Sequence, residues 1–294
     1  MSPASSSALP LTIVVPVKNE ASNLPACLAS LPPVREVLVV DSGSVDRTAE
    51  IAREFGARVI DFQWNGRFPK KRNWVLETYA FGSPWVLFLD ADERLTPEFN
   101  AALSAALARR EVAGYWLNYT NWFMGRRLRH GVRQRKLALF RIGAGAYERI
   151  EDSNWSALDM EVHEHPQLEG RVEEIPQPIE HNDFRGLHHY LARHNEYSTW
   201  EARRYAALAG DPEALARLTP RQRAKYRNLT RWWFCLAYFL TNYVLRLGML
   251  DGGPGLAHSL LKASYFIEVR LKILELRQQA GAGPGARDVE GRRS

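Results

Sequence analysis

Apolar and polar positions alternate in blocks through the first third of the chain. Leu11 to Val17, Val37 to Asp41, Arg58 to Phe62 and Trp85 to Asp90 are short apolar runs rich in β-branched residues, the signature of strands buried on both faces. Between them, Ser22 to Leu31, Thr48 to Phe55 and Lys70 to Ala80 carry apolar residues at helical spacing, and Ser44 or Asp46 is placed to cap the second of these helices. Strand and helix in turn predict a parallel sheet with crossover helices. A further helix is expected over Pro97 to Arg110, opened by Thr96 ahead of a first-turn proline.

After Gly114 the texture changes. Tyr115 to Phe123 and Leu137 to Arg141 read as strands, and Gly143 to Asp183 reads as loop-rich. Within that stretch Glu161-Val162-His163-Glu164-His165 alternates as a strand would, with Glu161, His163 and His165 on one face and Val162 and Glu164 on the other. Helical pattern returns from Leu187 to Leu208 and breaks at Gly210-Asp211-Pro212. Pro220 to Arg277 is expected to hold two helices separated by Asp251-Gly252-Gly253-Pro254-Gly255. The organisation expected is a tail over 1–9, an α/β half over 10–114, a second half over 115–210, C-terminal amphipathic helices over 211–278, and a second tail over 279–294.

Composition narrows the class. With 294 residues, 46% of them apolar and 24% charged, the chain is of ordinary globular make-up and can bury a sizeable core. Two cysteines, Cys27 and Cys235, lie too far apart for a disulfide framework or a zinc knuckle. The N-terminus lacks the basic start and apolar run of a signal peptide. No stretch reaches the roughly 18 uninterrupted apolar residues of a spanning helix. The nearest, Trp232 to Leu250, is interrupted by Thr241, Asn242 and Arg246. A cytoplasmic protein, associated with a membrane surface, is the expectation. The formal charge of +6 points to an anionic partner without naming it.

Candidate chemistry gathers where three predicted strands end. The first runs into Pro16-Val17-Lys18-Asn19-Glu20, the second into Asp41-Ser42-Gly43-Ser44-Val45-Asp46, and the fourth into Asp90-Ala91-Asp92-Glu93. Ligands of open parallel sheets bind at the carboxyl ends of the strands. Carboxylates one residue apart just beyond a buried strand suit a hard divalent cation, Mg²⁺ or Mn²⁺, that also touches phosphate oxygens. Each acid alone also fits a turn or capping role, Asp46 most of all. Neither a G-x-G-x-x-G nor a G-x-x-x-x-G-K-[ST] is present, which counts against dinucleotide oxidoreductases and P-loop enzymes. A haloacid-dehalogenase-type phosphatase also uses an apolar strand ending in D-x-D, but on its first strand, and here Arg94 stands where its Thr or Val belongs.

Four linked motifs, Thr12 to Glu20, Val39 to Thr48, Lys71-Arg72-Asn73 and Phe88 to Asp92, resemble the family 2 glycosyltransferases with the GT-A fold. Glu161-Val162-His163-Glu164, His181 and His194 to Ser198 are similar to the branch that includes bacterial lipopolysaccharide-core glucosyltransferases. The resemblance implies an α/β nucleotide-sugar-binding fold with a mostly parallel central sheet, a C-terminal helical region, a UDP-sugar donor and inversion at the anomeric carbon. On it, Asp41 contacts the base, Pro16 and Glu20 line the nucleoside pocket with Lys18 and Ser44 beside them, and Asp46, Lys71 and Asn73 face the nucleotide. Asp90 lies near the ribose or sugar, Asp92 binds the metal, and His181 is either a metal-side histidine or a structural one.

Inverting transfer needs a base for the acceptor hydroxyl. Glu164 is the first candidate and Asp152 the next, with Glu161 and Glu151 as competitors. His163 and His165 form a less favoured metal pair.

The basic excess forms two runs. Arg126, Arg127, Arg129, Arg133, Arg135 and Lys136 offer a clamp for a donor diphosphate, Arg135 in particular, or a solvated charge run. Arg217 to Arg231 precedes an apolar stripe at 232, 233, 236, 240, 243, 244 and 247, and a second stripe runs through 260, 261, 267, 271 and 274. These stripes suit either a helix lying in an anionic membrane surface or a pair of core helices packed on each other. The expected partners are a nucleotide-sugar donor, a glycan or lipid-linked acceptor and a peripheral membrane surface. No nucleic-acid motif appears, and two-fold association through the C-terminal helices stays open.

Overall fold

The computed structural model describes residues 8–150, 152, 155, 159–161, 164–182 and 185–281. Glu151, Val162 and His163, and the outer parts of both expected tails, lie outside the described residues. The chain forms two compact units, one of residues 1–127 with 133–183, the other of 128–132 with 184–294.

The first unit is built on a mixed sheet ordered β3-β2-β1-β4-β8-β6-β11-β5, with β7 paired to β6. Strands β1 (Leu9–Val17), β2 (Val34–Asp41), β3 (Arg58–Asp61) and β4 (Trp85–Phe88) run parallel. Helices α1 (Leu24–Ala29), α2 (Thr48–Glu54) and α3 (Lys71–Thr78) intervene along the chain. Seven consecutive residues of β1, Leu11 to Val17, are buried, as a strand covered on both faces requires. Leu11, Ile13 and Val15 join the larger apolar cluster, while Val14 joins a second with Phe88, Phe140 and Tyr147. Helix α4 (Pro97–Ala108) starts as its sequence dictates, with the Thr96 hydroxyl accepting the Phe99 N–H at 3.1 Å.

Beyond β4 the sheet turns largely antiparallel. β8 (Gln134–Arg141) lies between β4 and β6 (Val112–Phe123), antiparallel to both, and β7 (Arg126–Arg127) folds back on β6. β11 (Arg171–His181) runs parallel to β6 and takes the two-residue β5 (Glu93–Arg94) on its other side.

This strand corrects the loop-rich reading of 143–183. Pro176 and Pro178 and four acidic or basic residues hide it from a periodicity count. The prolines fall where the register with β6 shifts, between Ile175 and Ile179, and beside the short partner β5, so few ladder bonds are lost. β9 (Gly145–Tyr147) and β10 (Pro166–Leu168) form a separate two-stranded ribbon. A second correction concerns 161–165. Glu161, Glu164 and His165 belong to no strand. Glu161 and Glu164 are both buried while His165 is exposed, so alternation does not sort these side chains.

The second unit is helical: α5 (Leu187–Ala209), α6 (Pro212–Arg217), α7 (Pro220–Asn228), α8 (Trp233–Leu240) and α9 (Gly252–Gly281). The two helices expected over 220–277 are thus three, with a π-helical turn at Thr241–Leu245 and a 3₁₀ turn at Gly248–Asp251 between the last two. The Gly-Gly-Pro-Gly run is the first turn of α9 rather than a separator, and α9 continues into the segment expected as tail. Ala202, Leu229, Val269 and Ile273 form the core of this unit. Phe234 and Tyr238 pack on Phe266, with ring centroids 5.0 and 4.8 Å apart. The two apolar stripes mostly do not pack: Trp232, Trp233, Leu236, Leu240, Val244 and Leu247 on one and Leu260, Ile267, Leu271 and Leu274 on the other are exposed.

Candidate active site

The parallel strands deliver the ends of β1, β2 and β4 to one edge. Asp41, the last residue of β2, is buried, and its Oδ1 accepts the Ser44 N–H at 3.0 Å and the Ser44 hydroxyl at 2.6 Å. Gly43, at φ +73°, lets the intervening turn close. The same Ser44 Oγ accepts the Asn19 N–H at 2.8 Å, and Asn19 Oδ1 accepts the Val45 N–H at 2.9 Å, so the loops after β1 and β2 are locked together. Pro16 is buried beneath them and Lys18 is exposed above. Glu20 accepts from the Asn23 amide at 3.0 Å.

Asp46 stands one residue ahead of Arg47, the N-cap of α2, and ties the first residue of that helix to the loop after β1. It accepts the Ala21 N–H at 3.1 Å, the Thr48 N–H at 3.0 Å and the Thr48 hydroxyl. Desolvation works to raise its pKa, but these hydrogen bonds prevail and hold it below the usual carboxylate value.

Just beyond β4 lies an acidic cluster. Asp90 meets Arg72 Nη2 and Lys136 Nζ, each at 2.6 Å. Glu93, fully buried, pairs with the same Lys136, accepts the Asp90 N–H at 3.0 Å and lies 3.5 Å from the Tyr119 hydroxyl. Burial works to raise the Asp90 pKa, but Lys136 and Arg72 override it and hold the group well below its ordinary value. Burial, with the charges of Asp90 and Asp92 added, pushes Glu93 the other way. His181, at the end of β11, places Nε2 3.6 Å from Asp92 Oδ1 and Nδ1 3.2 Å from Asn121 Oδ1. One donor atom each from Asp92, Glu93 and His181 lie within 4.8 Å of one another.

The start of α3 forms the third part. Lys70, Lys71, Arg72 and Asn73 are consecutive and all buried. Every cation among them has an acidic partner from far along the chain. Lys70 Nζ pairs with Asp152 and, at 2.7 Å, with Glu164. Lys71 Nζ donates to the Val17 carbonyl at 3.0 Å and lies 3.3 Å from Asp159. Arg72 reaches Asp90 and the Glu161 carbonyl. α3 has no local side-chain cap. The Glu161 carboxylate supplies one instead, accepting the Arg72 N–H at 2.8 Å and the Asn73 N–H at 2.9 Å. Burial raises the Glu161 pKa against those hydrogen bonds.

The fold therefore brings Asp90, Asp92 and His181 together, and separately Asp152 and Glu164. Two residues expected toward the donor are placed otherwise. Asn73 bonds the Tyr147 backbone in both directions, at 3.0 and 3.1 Å, which ties α3 to β9. Arg135 pairs with Glu174 at 3.0 Å and lies over the Trp116 ring. Strand alternation turns Lys136, and not Arg135, toward Asp90 and Glu93. Glu161 acts as the α3 cap.

Lys70 is the residue of these clusters that motif reading passed over. Arg72 and Lys136 were legible only as members of the Lys71-Arg72-Asn73 motif and the basic run, and Glu93 only as a third acid directly after Asp90-Ala91-Asp92, none of them with a role of its own.

A family model, glycosyl transferase family 2, matches residues 12–160. The chain belongs to glycosyl transferase family 2. Among relatives of this family 2 member, a lipopolysaccharide core biosynthesis glycosyltransferase of Rhizobium meliloti is 31% identical over 175 residues, 56% of this chain and 59% of the relative. A TPR repeat-containing protein of Synechococcus elongatus is 40% identical over 100 residues, 34% of this chain and 24% of that protein. The match thus spans less than two thirds of the Rhizobium relative and about a quarter of the Synechococcus one. A solved mannosyltransferase from Pyrobaculum calidifontis, in complex with GDP-Man and Mn²⁺, superposes with a TM-score of 0.50 at 17% identity over 92% of this chain and 88% of that one. The likeness extends the family assignment to the fold, a GT-A-type α/β unit with a C-terminal helical region.

A divalent cation fits the family 2 site on its chemistry. Asp92, Glu93 and His181 offer two carboxylates and an imidazole, a hard-to-borderline donor set suited to Mg²⁺ or Mn²⁺.

Proposed function

We infer that this chain is an inverting glycosyltransferase that moves a sugar from a nucleotide-diphosphate donor, a UDP-sugar first of all, to a glycan or lipid-linked acceptor of the cell envelope. The carrying observation is the meeting of Asp41, the Asp90–Asp92–Glu93–His181 cluster and the buried start of α3 at the carboxyl ends of the parallel strands of one mixed sheet. Asp41 and the braced loops at Ser44 and Glu20 suit the nucleoside. Asp92 and His181, with Glu93 beside them, would hold Mg²⁺ or Mn²⁺. Such an ion supplies positive charge to the leaving diphosphate.

In the transfer, the acceptor hydroxyl oxygen bonds the anomeric carbon as the bond from that carbon to the diphosphate oxygen breaks. The hydroxyl proton passes to a carboxylate, Glu164 in the first place and Asp152 in the second, and the nucleoside diphosphate leaves. Lys70 fixes both carboxylates in place. The envelope acceptor rests on the Rhizobium relative's role in lipopolysaccharide core biosynthesis. Work at the inner membrane face rests on the exposed apolar stripes of the helical unit.

The test is calorimetry with UDP- and GDP-sugars in the presence and absence of Mg²⁺ or Mn²⁺, followed by product analysis with the bound donor. Metal-dependent binding of one nucleotide sugar is expected. No binding of any donor would overturn the reading. Tight donor binding with no turnover of the bound donor would leave a nucleotide-sugar binder instead, and turnover unchanged in both Glu164→Gln and Asp152→Asn would move the base elsewhere.

A further inference from the structure

The second unit is bent in its C-terminal part. The segment Trp233–Leu245 meets Gly248–Ala280 at 70°, and no single helix among the described residues is long and apolar enough to cross a membrane. The bend is built rather than loose. Leu247 takes a left-handed φ of +58°, and a side chain on Gly248 would strike the Asn242 carbonyl at 2.7 Å. Asn242, buried, accepts the Val132 N–H at 2.7 Å and donates to Ser259 Oγ at 2.7 Å. Asp251 accepts the backbone N–H groups of Arg129 and His130 at 3.1 and 2.9 Å.

At the apex of this braced bend the apolar side chains point outward. Leu245 is 74% exposed and Leu250 61%, with Leu247 and Met249 also exposed between them. Leu240 and Leu236 are exposed along α8, and Trp232, 70% exposed, stands at the other end of that helix. Beside it lies a cavity of about 220 Å³ lined by Trp232, Phe234, Phe266 and Ile267, with Arg231 and Arg270 also in its wall. Arg270 donates Nε to the Thr230 carbonyl at 2.9 Å and Arg231 lies over the Trp233 ring, so two basic residues stand beside a largely apolar cavity, a pairing that suits an acyl chain headed by a phosphate.

Charge singles out one occupant. Residues 211–277 hold eleven Lys and Arg against five Asp and Glu, a surplus of six that equals the formal charge of the whole chain. A second copy of this surface would bring two such surpluses face to face, whereas an anionic bilayer neutralises them.

We propose that the apex Leu245–Leu250, with the Trp232 face and its Arg231/Arg270 cavity, is a docking wedge that inserts shallowly into an anionic phospholipid surface. This rests on the reading of the protein as one that works at a membrane, and is independent of the donor chemistry. Exposed leucines enter the acyl boundary, Arg246 at the apex and the flanking arginines meet headgroup phosphates, and the cavity takes a segment of one acyl chain.

The test is co-sedimentation with phosphatidylcholine vesicles with and without phosphatidylglycerol. The intact protein should bind the phosphatidylglycerol vesicles, more weakly as salt rises, and should leave pure phosphatidylcholine largely unbound. Leu245→Glu with Leu250→Glu should weaken vesicle binding by about tenfold or more, and Arg231→Gln with Arg270→Gln should reduce the preference for phosphatidylglycerol by about tenfold. Brominated acyl chains should quench tryptophan emission in the intact protein and clearly less in Trp232→Phe. Circular dichroism and nucleotide-sugar calorimetry on the same variants separate loss of docking from loss of fold or of donor binding. Failure of the intact protein to bind phosphatidylglycerol vesicles, or full binding by the double-Glu variant, overturns the proposal. So does a dimer that the Leu245→Glu and Leu250→Glu changes dissolve while vesicles go unbound.

Discussion

Lys70 Nζ lies 2.7 Å from Glu164 Oε1, and the same ammonium pairs with Asp152. The two carboxylates that sequence reasoning ranked first and second for proton acceptance therefore share one buried cation, and separating their roles needs substitution rather than inspection. With donor and acceptor bound, Glu164→Gln should lower kcat by about 10²–10⁴, the usual worth of a general base, while donor affinity stays unchanged. Asp152→Asn should cost less. Full turnover in Glu164→Gln with loss in Asp152→Asn would exchange the two assignments.

Replacing Lys70 tests the pairing itself. Burial disfavours its charge, but Glu164 and Asp152 more than restore it and raise its pKa. Lys70→Met would leave two buried carboxylates facing each other without their cation, at a cost of about 3–5 kcal/mol. Chemical denaturation should read that loss, and an unchanged midpoint would show that other contacts hold the carboxylates.

Asp92→Asn should abolish the Mn²⁺ dependence of donor binding, because the amide removes a charge and one oxygen donor from the Asp92–Glu93–His181 group. The intact protein and the variant should differ in calorimetry with metal and converge without it. Retained Mn²⁺ dependence would move the site elsewhere.

Glu161→Ala should loosen the start of α3, since the carboxylate holds two of its backbone N–H groups. The expected loss is about 1–2 kcal/mol, as for removal of a helix cap. Glu161→Gln keeps one acceptor oxygen and should lose less. Equal stability of all three proteins would contradict the capping role.

Acid should weaken the helical unit first. His194 and His258 are each lowered to about 3, by burial foremost and then by the nearby Lys262 charge. His194 is also faced by Arg193 and His258, by the Tyr190 carbonyl at 2.9 Å and by Lys262 Nζ at 3.2 Å, while Asp251 pulls His258 upward. With folded values below the unfolded 6.5, the unfolded chain binds more protons between pH 6.5 and 3. The contribution of both groups is thus complete above 6.5 and is lost progressively as the pH falls toward 3. Thermal melts across that window should show a falling Tm, flattened in His194→Gln with His258→Gln. A parallel slope in that variant would assign the acid limb to other groups.

The order β1-α1-β2-α2-β3-α3-β4 was legible because β1, β4 and the second half of β2 are unbroken apolar runs, and even the half-exposed β3 keeps a Val-Ile pair. The strand-end acids were legible for the same reason, since wherever such a strand stops, the first polar residues reach the edge of the sheet. Periodicity fails where a strand is stitched from prolines and charges. β11 is a strand because β6 and β5 were there to pair with it.

What the chain alone determined, then, is the parallel half-sheet and the acids at its edge. The tertiary structure decided their partners. Lys70 meets Glu164 across 94 positions, Arg72 takes its cap from Glu161, and Lys136 rather than Arg135 closes on Asp90 and Glu93. It also decided that the apolar stripes of α8 and α9 face outward while Phe234, Tyr238 and Phe266 face in. The physical reason is common to all of these. Local pattern reports how much of a residue wants to leave water, whereas the pairing of a buried charge and the covering of an apolar face are fixed only when distant segments arrive.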